Sequence, residues 1–350
     1  MTRAEANAWI VGLIGVFGSA LGWVFAPASF RYAWLAALFV WLAWPLGSMA
    51  LLYVHALTGG RWGLAIRPAL IAGVCTAPLL LLAIIPYIVS VHALYRWLDP
   101  QVAAKLANSW YLNGPFFAWR AACYVIAWLA LAFFTLLALR PGRPPSMLAR
   151  LAPPGLMVLA VTVTFAAIDA TLSLDPTFVS SAYGMIIAAE FALFALSIAA
   201  LASAPFIADR EVLADIGKLM LALVVLWTYL DFMQLLIVWS SDLQDESPWY
   251  IARSSHGWGA AAVAIGLCHF GLPFFLLLSG ALQRSRAAIA SVAALLIAIE
   301  IVRGWWLVLP ASPRGVGLVD LATMLAFGGV ASGVALGARR WLPAARMQHG

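Results

Sequence analysis

The chain has 350 residues, of which 65% are hydrophobic and only 10% charged, and its mean hydropathy is +0.97. A soluble protein carries about 25% charged residues and has no means of hiding this much apolar surface, so the composition excludes a soluble globular protein and points to a bilayer. The net charge of +6 lies in short loops without an aromatic-interleaved basic patch, so it calls for membrane topology and lipid contact and for no nucleic acid.

The first apolar run, Ile10 to Ala26, follows a short polar start at Met1–Trp9. Phe25-Ala-Pro-Ala28 is a weak cleavage pattern and the run is long, so a retained first helix is expected instead of a signal peptide. Gly12, Gly15 and Gly18 recur every third residue within it, which predicts a close packing stripe. Further runs long enough to cross about 30 Å of hydrocarbon follow, giving ten predicted spans at 8–26, 33–57, 68–91, 115–139, 151–171, 180–204, 216–240, 256–281, 288–309 and 317–338. The fold class expected is therefore all-α, an integral membrane protein of about ten transmembrane helices forming a single membrane domain over 1–350.

The connections are short. Thr58-Gly-Gly-Arg-Trp-Gly63 and Arg140-Pro-Gly-Arg-Pro-Pro-Ser146 are basic turns rich in helix breakers. Residues 92–114 form the longest connection, with room for a short interfacial helix. Ser173-Leu-Asp-Pro176 is a tight turn, and the acidic Ser241-Asp-Leu-Gln-Asp-Glu-Ser-Pro-Trp-Tyr250 ends on the aromatic residues expected at a headgroup boundary. The fifth span carries Pro153-Pro154 in its first turn and Asp169 near its end. Without it the count falls to nine and the termini lie on opposite sides.

With ten spans, one side holds Arg3, Arg61, Arg67, Arg140, Arg143, Arg150, Arg210, Lys218, Arg284, Arg286, Arg339, Arg340 and Arg346, thirteen of the twenty basic residues. The other seven are Arg31, Arg96, Lys105, Arg120, Arg253, Arg303 and Arg314, of which Arg120 and Arg303 fall inside predicted helices. The bias predicts cytoplasmic termini.

Ionisable groups inside a span are costly and normally face protein, a partner or water. Glu190 lies near the centre of the sixth span. Asp231 and Gln234 share one face of the seventh, with Trp227 a turn earlier. His269 lies mid-span in the eighth, one turn before Pro273. Glu300 and Arg303 form an i,i+3 pair in the ninth, most simply an internal salt bridge, and Asp169 shares a face with Thr162 in the fifth. Two readings stand for Glu190 and Asp231, which lack a basic partner on their own helices: a polar path, or neutral acids that only tie helices together. His269 reads either as part of such a path or as a packing residue.

Cys75, Cys123 and Cys268 provide no CxxC metal or haem motif, and no Walker loop, HExxH, GxSxG or dinucleotide fingerprint is present. His55, His92, His256, His269 and His349 are not spaced as facing haem ligands, so a haem protein is the least favoured class. A stand-alone proton-coupled membrane transporter using Glu190, Asp231 and Glu300–Arg303 is the competing reading, although no repeated half with paired broken helices accompanies it.

Several interhelical stretches carry a resemblance. They are His55-Ala-Leu-Thr-Gly-Gly-Arg-Trp-Gly63, Thr162-Val-Thr-Phe-Ala-Ala-Ile-Asp169 with Ser173-Leu-Asp-Pro176, and Gly217-Lys218-Leu. Leu226-Trp-Thr-Tyr229, Gln234-Leu-Leu-Ile-Val-Trp-Ser240, Pro248-Trp-Tyr250, Gly257-Trp-Gly259 and His269-Phe-Gly-Leu-Pro273 continue the ordered set. In this order, over about 45–310, the chain resembles the ActF-type membrane subunit of bacterial alternative complex III, a relative of the NrfD-like, polysulfide-reductase membrane family; position 170 is Ala where the family pattern has an aromatic residue. The resemblance implies NrfD-like paired helix bundles in a bacterial cytoplasmic membrane and a structural, proton-conducting role in a quinol-oxidising complex. It implies no cofactor in this chain; haem c and iron–sulfur clusters would belong to partners. Those partners would be multihaem and monohaem cytochromes c, an iron–sulfur protein, a sister NrfD-like quinol-binding subunit and, in some assemblies, a terminal oxidase. The residues matching its polar path would be Asp169, Asp231, Gln234 and His269, to which the central position of Glu190 adds a fifth.

Overall fold

The structure is a computed structural model that describes residues 1–106, 108–244, 246–312 and 314–341, the side chains of 339–341 excepted. Of the charges and histidines counted above, Asp245, Arg346 and His349, together with the side chains of Arg339 and Arg340, lie outside the described residues.

Among the described residues, ten helices are long and apolar enough to cross a membrane. They are α1 (Arg3–Phe25), α2 (Pro27–Thr58), α3 (Arg61–Leu94), α4 (Gly114–Ala138), α5 (Ser146–Leu174), α6 (Tyr183–Phe206), α7 (Arg210–Ser240), α8 (Trp258–Leu278), α9 (Arg286–Ala311) and α10 (Leu318–Ala338). The chain is thus a multi-pass, all-helical membrane protein. α5 begins at Ser146, earlier than expected, so Pro153 and Pro154 lie inside it and not in its first turn; each removes one i→i−4 amide bond, yet the helix continues through them. Among its described residues, the connection between Leu94 and Gly114 holds the short helix Pro100–Ala103 and a 3₁₀ turn at Arg96–Leu98.

Helix ends are fixed by caps. Thr2 and Glu5 form a capping box on α1, Asn113 accepts from Phe116 N–H at the start of α4 (3.0 Å), and Asp209 accepts from Glu211 N–H at the start of α7 (2.8 Å). Each satisfies amides that a helix start leaves unpaired.

Most spans are apolar all round, so burial is decided by position and not by an amphipathic stripe. α2, α6 and α9 form the protein-buried centre, whereas α1, α7 and α8 present most of their surface outward. Small residues set the closest approaches. A methyl group at Gly47 would overlap the Phe191 carbonyl of α6, and one at Gly304 would meet Val40 of α2. α1 packs almost entirely on α10, antiparallel, with Gly12 against Val330, Gly15 against Ala326, Gly18 against Ala322 and Gly22 against Val319. The predicted stripe therefore faces the last span. In hydrocarbon such a seam is held by dispersion and backbone proximity, because lipid tails compete equally for apolar side chains.

Two spans are irregular. α3 breaks after Val74 and resumes at Leu80 through a 3₁₀ turn at Ala77–Leu79 that contains Pro78. α8 widens into a π-helical turn over Gly266–Gly271, directly ahead of Pro273. Pro273 has no amide to give the His269 carbonyl and its ring crowds that carbonyl, so a local widening relieves the conflict.

Candidate functional site

The irregular turn of α8 carries His269 into the middle of the bundle, where it is fully buried. Its Nε2 and the Glu300 Oε1 of α9 share a hydrogen bond of 2.6 Å, and its ring lies 3.8 Å, centroid to centroid, from that of Trp227 on α7. One turn along α9 from Glu300, Arg303 donates from Nη2 to Asp231 Oδ1 on α7 at 2.7 Å. Its Nε is 3.6 Å from Glu190 Oε2 on α6. The guanidinium lies between the rings of Trp227 and Trp306, 5.1 and 5.0 Å from their centroids. Four helices thus supply three carboxyls, one imidazole and one guanidinium to a single cluster.

The i,i+3 salt bridge expected between Glu300 and Arg303 is not the arrangement found. Glu300 pairs with His269, while Arg303 pairs with Asp231 and Glu190. Residues three apart are neighbours on a helix surface, but each of these two points to a stronger partner on a facing helix.

Charge balance constrains the cluster. Three ionised carboxyls against one guanidinium and a neutral imidazole would leave a net charge of −2 in a site where Glu190, His269, Glu300 and Arg303 are all buried. Uncompensated buried charge is expensive, so the five groups must hold protons among themselves. Glu190 Oε2, His269 Nδ1 and Arg303 Nε have no hydrogen-bond partner, which leaves positions at which protons can rearrange. Asp231 is the group that reaches a surface, with 27% of its side chain exposed against 5% or less for the other four.

Gln234 stands one turn beyond Asp231, toward the loops. Its Oε1 accepts from the Ser180 hydroxyl and its Nε2 donates to the Tyr250 oxygen at 3.1 Å. Above it Arg253 is buried against Trp249 (3.7 Å to the ring centroid) and donates from Nη2 to the Leu307 carbonyl at 2.6 Å. Trp306 Nε1 donates to the Arg253 carbonyl in return, at 3.1 Å. Burial pulls the Arg253 guanidinium below the usual arginine range, and it raises the Tyr250 hydroxyl, with the Asp231 charge adding to the rise.

Asp169 is held elsewhere. Arg120 of α4 grips it with two bonds, Nε to Oδ2 at 2.9 Å and Nη2 to Oδ1 at 2.8 Å, and Tyr124 donates to Oδ2 at 2.8 Å. Arg120 stacks on Tyr111, 3.8 Å from the ring centroid. Asp169 also borders an apolar cavity of about 70 Å³ beside Tyr87 and Tyr124. Of the residues proposed from sequence, the structure groups Glu190, Asp231 and His269, adds Glu300 and Arg303, sets Gln234 beside them, and assigns Asp169 to a separate ion pair. Arg120, Tyr250, Ser180 and Arg253 were not singled out as partners. The Arg120–Asp169 pair had a usable signal: both lie within about two turns of the same ends of consecutive antiparallel spans. Among the described residues no group of three His, Cys, Asp or Glu converges in metal-ligating geometry.

The chain matches no known family model and no curated protein.

Proposed function

We propose that the chain is a proton-exchanging membrane subunit of a quinol-oxidising assembly of the alternative complex III type, with an ActF-like, NrfD-type organisation. The observation that carries the reading is the buried Glu190–Asp231–His269–Glu300–Arg303 cluster, whose acids outnumber its bases and whose one partly exposed member is Asp231. A purely structural ion pair needs one acid per base; surplus carboxyls held on three helices are suited to taking up and releasing protons. The resemblance supplies the redox partners, which would carry haem c and iron–sulfur clusters, and a bacterial cytoplasmic membrane, while the bias of basic residues would put both termini inside.

The test uses the protein in its native assembly. After mild-detergent purification, complexes with wild-type chain and with Asp231→Asn are reconstituted in vesicles, and quinol oxidation and the proton-to-electron ratio are measured. A lower ratio with electron flow preserved is expected. An assembled Asp231→Asn complex with both values unchanged removes the proton-carrying role. A chain that purifies alone while the cytochromes remain fully assembled without it removes the subunit assignment.

A further inference from the structure

The cluster lies off-centre. On α7, Asp231 is nine residues before Ser240 and twenty-one after Arg210, roughly 14 Å from one end and 32 Å from the other at 1.5 Å per residue. Glu190 on α6 is seven residues after Tyr183, roughly 10 Å along the axis, and Arg303 on α9 is five residues before Val308, roughly 8 Å. All three are nearest the face formed by residues 173–182 and 241–257.

Toward that face the neighbours are polar: Gln234, Ser180, Tyr250, and Tyr183, whose hydroxyl is 2.6 Å from that of Thr171. Toward the opposite face they are closed and apolar. Trp227, Val224 and Met220 on α7, Leu193 on α6, and Leu296 and Val292 on α9 are each no more than 3% exposed. Ser197 on α6 and Ser48 on α2 are buried hydroxyls on that side, but two hydroxyls do not bridge roughly 24 Å of helix.

Resting on the proton-exchange reading above, we infer that the cluster takes up protons from one face only, through Tyr250, with Gln234 and Ser180 holding that tyrosine in place. Gln234 gives no proton itself. Its amide donates to the Tyr250 oxygen and accepts from Ser180, which leaves the Tyr250 O–H hydrogen uncommitted beside Gln234, one turn of α7 from Asp231, whose charge acts on the Tyr250 hydroxyl. A proton arriving on the Tyr250 oxygen while its own hydrogen passes to a carboxylate oxygen of Asp231 leaves the tyrosine neutral and converts the carboxylate to the acid. One positive charge moves inward and no other bond changes. Asp231 is in contact with Arg303, and Arg303 with Glu190, so a proton gained at Asp231 resets the charge balance of the interior. The charged and titratable groups facing this route are Asp231 on α7, Glu190 and Tyr183 on α6, His269 on α8, Glu300 and Arg303 on α9, and Tyr250, Arg253 and Asp175 in the loops. Gln234 and Ser180 are positioning residues.

The full chain, reconstituted in vesicles with orientation fixed by labelling an engineered loop cysteine, is followed by infrared absorption in the carboxylic-acid region. Bands of the cluster are identified by their loss in Glu190→Gln and Asp231→Asn. A pH jump applied on the face bearing residues 241–257 is expected to change these bands promptly, and the same jump on the other face to change them only as the vesicle leaks. Tyr250→Phe is expected to slow the response at least tenfold without altering its end point. Gln234→Leu should slow it, Gln234→Asn should restore part of the rate, and Ser197→Ala should have no effect. A prompt response from the other face, or an unchanged rate in Tyr250→Phe, overturns the one-sided route while leaving proton exchange intact. Cluster bands that do not titrate at all between pH 4 and 9 overturn proton exchange itself, and the route with it.

Discussion

Arg303 holds acids from two other helices around one guanidinium, and its geometry explains why so much polarity survives inside an apolar bundle. Buried acids stripped of their cation cost about 3–5 kcal/mol, so Arg303→Gln is expected to destabilise the folded chain by that order in equilibrium unfolding from mixed micelles. Removing Asp231 at the same time takes away one acid that the guanidinium had offset. Asp231→Asn combined with Arg303→Gln should therefore recover at least ~1 kcal/mol relative to the sum of the single changes, within the range of direct contacts. Additivity within ~0.3 kcal/mol would mean that the 2.7 Å contact carries no coupling. At this scale the sequence makes the acids legible but not their partners. Glu190, Asp231 and His269 stand out because ionisable groups are rare in spans. Which base meets which acid depends on the rotation of α9, and spacing alone pairs Glu300 with the wrong neighbour. Asp169 shows the same limit: its spacing to Thr162 suggests a shared polar face, yet its carboxylate is committed to Arg120.

The elements were the most legible level. Runs of apolar residues bounded by charged turns define all ten spans, because the bilayer imposes a minimum length that few other structures need. The loosening of α8 was legible, because Pro273 one turn after His269 removes an amide donor there, but the break inside α3 was not. α3 contains Pro68 and Pro86 as well as Pro78, and only at Pro78 does the helix give way. Local sequence marks three possible break points, and packing decides among them. The α1 glycines predicted a seam without naming the helix across it. Its partner, α10, lies at the far end of the chain and approaches so closely that a methyl at Gly15 would fall 2.7 Å from the Ala326 Cα. Gly15→Val is therefore expected to push α1 away while leaving the bundle of α2 to α9 folded. The readout is a disulfide between Trp9→Cys and Gly333→Cys, positions that already touch, in a chain with Cys75, Cys123 and Cys268 replaced by serine. The cross-link should form readily in the parent and drop at least fivefold with Gly15→Val. Equal yields would show that the seam tolerates the extra volume and that the glycines are not what sets it.

For the molecule as a whole, orientation rests on where positive charge is free to act. The structure sharpens the count made from sequence. On the face away from the termini, Arg120 is paired with Asp169, Arg303 with Asp231 and Glu190, and Arg314 with Asp320, while Arg253 is sealed between tryptophans. Among the described residues, Arg31, Arg96 and Lys105 are then left on that face without a carboxylate partner within 4 Å. The opposite face keeps the exposed Arg140 and Arg143 in one turn, and others in the Arg61–Asp209 and Arg284–Glu211 bridges. Exposed pairs of this kind contribute little stability, but their basic members still lie in the short loops that orient a chain during insertion. The face carrying Arg143 is expected to be cytoplasmic, and α5 is the span on which this topology turns, since Arg143 precedes it and Thr177 follows it. Single cysteines at Arg143 and Thr177, both exposed positions, would be challenged with a membrane-impermeant maleimide. Thr177→Cys should label in spheroplasts and Arg143→Cys only in inverted vesicles. Labelling of both from the same side would mean that α5 does not cross. The two reversed would mean that the cluster opens to the cytoplasm, so the same pair of cysteines also fixes the side from which Asp231 would draw its protons.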